Sequence, residues 1–165
     1  MSSTIISNTS PLIALSAIDD FELLPQIFAS VLIPHAVQQE ISATATLSHV
    51  KVPIEQALRA GWMELVSAPA GPTLSELRDR LGAGEAEAIA LAVERRLPIL
   101  MDDLPGRRSA ADLSLIVTGT LGVLARSKYR GIIQEVKPRI QRLRNAGIFL
   151  SDELIERFLR ETGEA

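Results

Sequence analysis

The chain has 165 residues, a formal net charge of -3, 47% hydrophobic residues, only 4% aromatic residues and no cysteine. That length supports a sizeable core, mostly of Leu, Ile, Val and Ala, and the lack of cysteine excludes disulfides and thiolate zinc centres. No apolar run reaches membrane-spanning length and no basic leader precedes one, so the expected chain is soluble and cytoplasmic, with no membrane contact.

The charges are unevenly spread. Residues 104–147 hold nine basic residues against Asp112 and Glu135, a net of +7, whereas residues 1–103 carry a net of -7. An acidic first part beside a basic second part suits a metal ion plus a polyanion. Solvated helix faces explain the same numbers equally well.

In chain order, Ile5-Ile6 reads as a short buried strand, followed at once by the polar run Ser7-Asn8-Thr9-Ser10. Ser10 is the expected N-cap and Pro11 the expected first helical residue, where its missing N–H costs nothing. Asn8 then lies in a strand-to-helix turn at the carboxyl end of strand one, the edge where open α/β sheets bind ligands. Helical pattern covers 11–18 and 20–28, and Val31-Leu32-Ile33 is a second strand closed by Pro34. Helices follow at 35–47 and 53–60, the latter stopped by Gly61, then a third strand at 62–66 and a short charged helix at 74–81. Gly82-Ala83-Gly84 precedes a strong helix at 85–96. A fourth strand over 98–101 ends at Asp102-Asp103, a turn or helix covers 104–112, and a fifth strand covers 115–117. The spacing then predicts helices over 119–130, 133–146 and 151–162, the last capped by Ser151. Strands alternating with helices imply a largely parallel sheet of four to five strands covered on both faces, a three-layer α/β/α sandwich in one domain over 1–165.

Several acids are oddly placed. At the angular step of a helix, Glu40 falls among Ala36, Val37, Ile41 and Ala43, opposite Gln38, Gln39, Ser42 and Thr46. Glu85 falls with Ala88, Ile89 and Ala92, while Glu87, Leu91 and Glu94 form the expected outer side. An inward carboxylate is costly without compensation. Glu85 also suits a helix N-terminus for its own sake, a gain of roughly 0.3–1 kcal/mol. Asp102 and Asp103 end a strand and equally read as a turn plus an N-cap. By default Asn8 is a turn residue. Together, these residues supply several acidic oxygens to one sheet edge. Crowded carboxylates repel, a hard divalent cation relieves the repulsion, and oxygen ligands select Mg²⁺ or Mn²⁺. Such an ion activates water and stabilises charge on a phosphoryl oxygen. His35 and His49 are too few and too separated for a zinc motif, and no phosphate-binding glycine loop or nucleophile elbow is present. Thr118-Gly119-Thr120 follows the fifth strand and reaches the same crevice.

The runs Ser7-Asn8-Thr9-Ser10-Pro11-Leu12-Ile13, Ile33-Pro34 with Glu40, Gly84-Glu85-Ala86-Glu87-Ala88-Ile89, Asp102-Asp103 with Arg107, and Thr118-Gly119-Thr120-Leu121-Gly122 together resemble the PIN-like superfamily. The likeness is closest to its small prokaryotic branch similar to VapC-type toxins, and it spans nearly the whole chain. It implies a Mg²⁺- or Mn²⁺-dependent endoribonuclease neutralised by an antitoxin protein, and a homodimer. It assigns Asn8, Glu40, Glu85 and Asp103 to the four acidic positions, with Asp102 competing for the last. Ser10 becomes a nearby polar support, and Arg107 and Arg108 phosphate contacts. The superfamily usually has Asp where this chain has Asn8, which offers a carbonyl oxygen but no charge. Two readings therefore stand: an RNA-cutting enzyme, and a weakened or inactive module that binds RNA or a protein. A phosphatase-like enzyme with a first-strand nucleophile is disfavoured, because Asn8 cannot be an aspartyl nucleophile.

Overall fold

The computed structural model describes residues 3–165. In chain order the elements are β1 (Ser3–Ser7), α1 (Thr9–Ala17), α2 (Leu23–Ile27), β2 (Phe28–Pro34), α3 (His35–Ser42), α4 (Ser48–Ala60) and β3 (Met63–Val66). Then come α5 (Pro72–Arg78), α6 (Ala83–Arg95), β4 (Ile99–Leu100), α7 (Leu104–Asp112), β5 (Val117–Thr118), α8 (Thr120–Tyr129), α9 (Lys137–Asn145) and α10 (Asp152–Glu161). The five strands form one sheet in the order β3-β2-β1-β4-β5, and every pairing is parallel.

Side-chain alternation along β1 and β2 divides the interior into two layers. Ile5, Val31 and Ile33 pack with Leu12 and Leu15 of α1, Ile54 of α4, Val123 of α8, Ile140 of α9 and Phe158 of α10. Ile6, Leu32, Val66 and Ile99 face the other way, onto Leu74 and Leu77 of α5, Ala86, Ile89 and Leu91 of α6, and Ala110 of α7. The expected α/β/α sandwich is therefore present. After β1 the chain enters α1 in the first layer; after β4 it enters α7 in the second. The sheet's connections reverse between these two neighbouring strands, and their carboxyl ends are where open α/β sheets form a ligand-binding crevice.

Several boundaries differ from the sequence expectation. Helix α1 starts at Thr9 with Asn8 at its N-cap, not at Pro11 after Ser10. Pro11 is tolerated in the third helical position because the first N–H groups of a helix lack intrahelical partners anyway. The predicted 35–47 helix stops at Ser42, where the β-branched Thr44 and Thr46 begin a run ending in a short 3₁₀ turn over Ala45–Leu47. Helix α4 starts at Ser48 and carries Pro53 inside it. Strand β4 is only two residues long, and β5 lies at Val117–Thr118 rather than 115–117. The predicted outer side of α6 is also corrected. Leu91 is fully buried under α5, and Glu87 is largely covered.

The basic segment is largely occupied with holding the fold. Arg139 pairs with Asp20 at 2.8 Å, Arg142 donates to the Ile18 carbonyl at 3.2 Å, and Arg130 donates to the Ile27 carbonyl at 3.2 Å. Arg144 pairs with Asp152. Arg139 and Arg142 thus lie at the far end of α1, away from the carboxyl edge of the sheet.

Glu164 closes the start of α9 in the same layer. Its carboxylate accepts from Lys128 Nζ at 2.7 Å and from the Val136 and Lys137 N–H groups at 2.8 and 3.1 Å. Burial alone would raise its pKa; the Lys128 and backbone bonds outweigh burial and hold the pKa below the ordinary value of 4.5. A depressed carboxyl contributes stability above its unfolded pKa, and that contribution is lost as pH falls through the folded value. Glu164→Gln is expected to destabilise the chain at pH 7 by about 1 kcal/mol. Urea unfolding should show this gap closing as pH falls below 4.5.

Candidate active site

The acids at the sheet's carboxyl edge mostly sit at the starts of helices other than their own. Glu40, near the end of α3, accepts the Gly84 N–H at 2.7 Å and the Thr9 hydroxyl at 2.6 Å. One carboxylate thus ties α3 to the first turns of α6 and α1. Glu87 of α6 accepts the Ala36 N–H in the first turn of α3 at 3.3 Å and pairs with Arg78 at 3.1 Å. Asp102, just past β4, accepts the Thr120 N–H at 2.7 Å and the Thr120 hydroxyl at 2.6 Å, at the start of α8. Negative charge at a helix N-terminus is favourable, and these bonds use N–H groups that would otherwise lack partners. Asp102 nonetheless has a raised pKa: burial pushes it up more than the Thr120 bonds and the nearby Arg107 pull it down.

Glu85 and Asp103 are arranged differently. Glu85 lies in the first turn of α6, and Asp103 is the N-cap residue of α7. Burial raises the Glu85 pKa first. The nearby Asp103 carboxyl raises it further, the Gly82 backbone pulls it down, and the Glu40 charge adds a smaller push. Glu85 of α6 therefore feels the carboxyls of Asp103 at the β4–α7 junction and of Glu40 on α3. Ser10 of α1 donates to Asp103 Oδ2 at 2.6 Å, bridging the crevice between β1 and β4.

Asn8 lies on the same edge. It is 1% exposed, and its Oδ1 is the buried side-chain polar atom without a hydrogen-bond partner among the described residues. Strand alternation puts Asn8 on the face of Ile6, the layer that holds α6 and α7. Its successors Thr9 and Ser10 bond Glu40 and Asp103. An unpartnered buried oxygen costs roughly 1–3 kcal/mol, so this atom suits a site that acquires a ligand.

The donors fit a hard cation: carboxylates and an amide carbonyl, with no nitrogen or sulfur. Among the described residues no three Asp, Glu or His side chains stand as a ready-made ligand cluster. Glu85, Asp103 and the Asn8 carbonyl would hold Mg²⁺ or Mn²⁺, and Glu40 and Asp102 hold helix starts. A cleft of about 480 Å³ between Glu135, Lys137 and Glu164 contains none of these residues.

The remaining expected site residues lie as follows. Arg107 Nη1 donates to the Met101 carbonyl at 2.9 Å, and Arg108 is exposed on α7. Thr118 is buried at the end of β5, with Arg126 3.5 Å from its hydroxyl. Sequence reasoning missed Thr9 as the second partner of Glu40, and Glu87 as the anchor of α3. For Thr9 a signal existed, a hydroxyl directly after the Asn8 turn. For Glu87 the signal was hidden, because a helix buried on several sides has no outer face to read.

Gly84 is required by close approach. A Cβ there would stand 2.6 Å from Glu40 Oε2 and 2.8 Å from Oε1. Gly84→Ala should expel the Glu40 carboxylate and destabilise the chain by roughly 1–3 kcal/mol in urea unfolding.

No curated protein matches the chain. Among solved structures, a PilT N-terminus domain protein from the archaeon Sulfolobus solfataricus P2 is 17% identical, over 75% of this chain and 92% of that one, with a TM-score of 0.49. VapBC2 from Rickettsia felis, bound to a DNA fragment from its promoter, is 13% identical, over 70% of this chain and 98% of that one, with a TM-score of 0.48. The family model described as DUF3368, PIN domain, matches residues 4–164, and the chain belongs to that family of PIN domains.

Proposed function

We propose that this chain is a Mg²⁺- or Mn²⁺-dependent phosphodiesterase that cuts RNA, acting in the manner of a VapC-type toxin. One observation carries the reading: at the carboxyl edge of the sheet the Glu85 carboxyl feels that of Asp103, which Ser10 holds from α1, and on the same edge Asn8 keeps a buried Oδ1 without a partner. Such a pair is strained by its own charge, and a divalent cation relieves that strain. When bound, the ion supplies an acidified water and stabilises charge on a phosphoryl oxygen.

The chain's own residues do the rest. Ser10 fixes the rotamer of Asp103, and Glu40 fixes the start of α6 from which Glu85 projects. Glu85 holds a proton to higher pH than an ordinary glutamate, so proton and cation compete at that atom. Arg108 is exposed on α7, close in sequence to Asp103, and would meet the phosphate backbone. Arg107, bonded to the Met101 carbonyl, would meet it only with its remaining N–H groups. An antitoxin protein and a homodimer belong to the same reading. Co-expression with an adjacent small gene, followed by light scattering, tests both.

A second reading is favoured by Asn8 itself. A neutral residue in place of a carboxylate removes one negative charge from the site, which weakens cation binding. On that reading the chain is a module that binds RNA or a protein without cutting.

Calorimetric titration with Mn²⁺ and a panel of single-stranded RNAs separates the two. The nuclease reading expects Mn²⁺ binding and cleavage, with about a hundredfold loss of cleavage in Glu85→Gln. No cleavage by the parent at levels where Glu85→Gln behaves identically would sink it. If Asn8→Asp alone binds the ion and cuts, the module reading holds for the natural chain.

The pH dependence follows from the raised Glu85 carboxyl. Protonation removes a ligand, so Mn²⁺ affinity should fall on acidification. The loss should set in above the ordinary glutamate value of 4.5.

A further inference from the structure

Strands β4 and β5 pair over only two residues each. Their ladder ends where the Met101 N–H donates to the Thr118 carbonyl at 2.8 Å. Past that point a side chain continues the connection. Asp102 reaches across and takes both the N–H and the hydroxyl of Thr120. Arg107 reaches back from α7 to the Met101 carbonyl, with its guanidinium beside Asp102. Both groups lie over the bare Cα of Gly119, where a Cβ would stand 2.7 Å from Arg107 Nη1 and 2.8 Å from Asp102 Oδ1. The brace thus closes over a position that only glycine leaves open.

Asp103 is the next residue. Its carbonyl accepts the Arg107 N–H at 2.9 Å, and its carboxylate is held by Ser10. The place of Asp103 in the crevice is therefore set from one side by α1 and from the other by the brace.

We infer that Asp102 is a positioning residue: held by Thr120, Gly119 and Arg107, it secures the end of β4 so that Asp103 meets Ser10 and Glu85. The inference rests on the cation-site reading of the crevice, and it divides the work of two adjacent aspartates that the sequence leaves as rivals. Both Asp102 oxygens accept hydrogen bonds from Thr120, whereas Asp103 accepts from Ser10 on Oδ2 and lies near the Glu85 carboxyl. A hydroxyl can accept as well as donate. Asn at position 102 would therefore keep both Thr120 contacts, its carbonyl on the N–H and its amide on the hydroxyl, while losing the charge. A ligand suffers from that change and a brace does not.

The test uses the full chain with Asp102→Asn, Thr120→Val, Thr120→Ser and Asp103→Asn. Mn²⁺ affinity is read from the electron paramagnetic resonance signal of free Mn²⁺, and each variant is also crystallised without metal. Asp102→Asn should bind Mn²⁺ within about twofold of the parent, while Thr120→Val, which alters no carboxylate, should lose about tenfold. Thr120→Ser should restore the affinity, and Asp103→Asn should lose at least about tenfold. The metal-free crystals should keep the Ser10–Asp103 contact in Asp102→Asn and lose it in Thr120→Val. A tenfold loss in Asp102→Asn with Thr120→Val unaffected would make Asp102 a ligand and overturn the inference. If the parent takes up no Mn²⁺, the cation reading fails and the crystals decide alone. An unmoved Asp103 in Thr120→Val then overturns the positioning role.

Discussion

The architecture of the crevice depends on carboxylates set against the N–H groups of neighbouring helix starts. Glu40 is the central case. With one oxygen on Gly84 and the other on Thr9, it holds three helices at a common point. A parallel sheet brings the starts of its following helices to one edge, so this fold gathers positive helix ends there. The chain answers with Glu40, Glu87 and Asp102, each placed on a helix it does not belong to. Once those ends are tied, Glu85 and Asp103 remain as carboxylates pressed against each other. The acids thus differ in what they face: Glu40, Glu87 and Asp102 hold N–H groups on other helices, and Glu85 lies near the Asp103 carboxyl.

The layered fold was legible because its signals are local and repeated. Ile5 and Ile6 point to opposite layers, and short apolar runs alternate with helical pattern, which identifies a parallel sheet without knowledge of contacts. The convergence on the first turn was legible for a related reason: residues past the ends of parallel strands share one edge. The boundaries were less legible. Pro11 and Pro53 both looked like helix starts, yet proline is tolerated in a first turn and, in α4, beyond it. Strands of two residues, such as β4 and β5, are defined by pairing with neighbours and not by any periodicity of their own.

The roles of the acids were only half legible. Helical angles correctly showed Glu40 and Glu85 as turned inward, but angle alone does not say what an inward acid meets. Glu40 meets an N–H group and Glu85 lies near a carboxylate, a difference made by groups distant in the sequence. Glu87 was misread because α6 has protein on more than one side. A face that looks outer by angle then lies under α5. The basic segment was only half legible. Arg107 and Arg108 lie on α7 after Asp103, whereas Arg139 and Arg142 serve Asp20 and a carbonyl at the far end of α1, and charge counted along a sequence carries no information on which end of a molecule it occupies.

Those arginines have an electrical consequence for the crevice. Arg142 sits on the Ile18 carbonyl at the closing turn of α1, with Arg139 beside it on Asp20. The opening turn of the same helix carries Asn8, a neutral residue that makes no capping bond. With its negative pole covered, α1 turns its positive pole toward the carboxylates of Glu40 and Asp103, which the Thr9 and Ser10 hydroxyls hold there. The helix itself supplies some of the attraction that an aspartate at position 8 would have opposed.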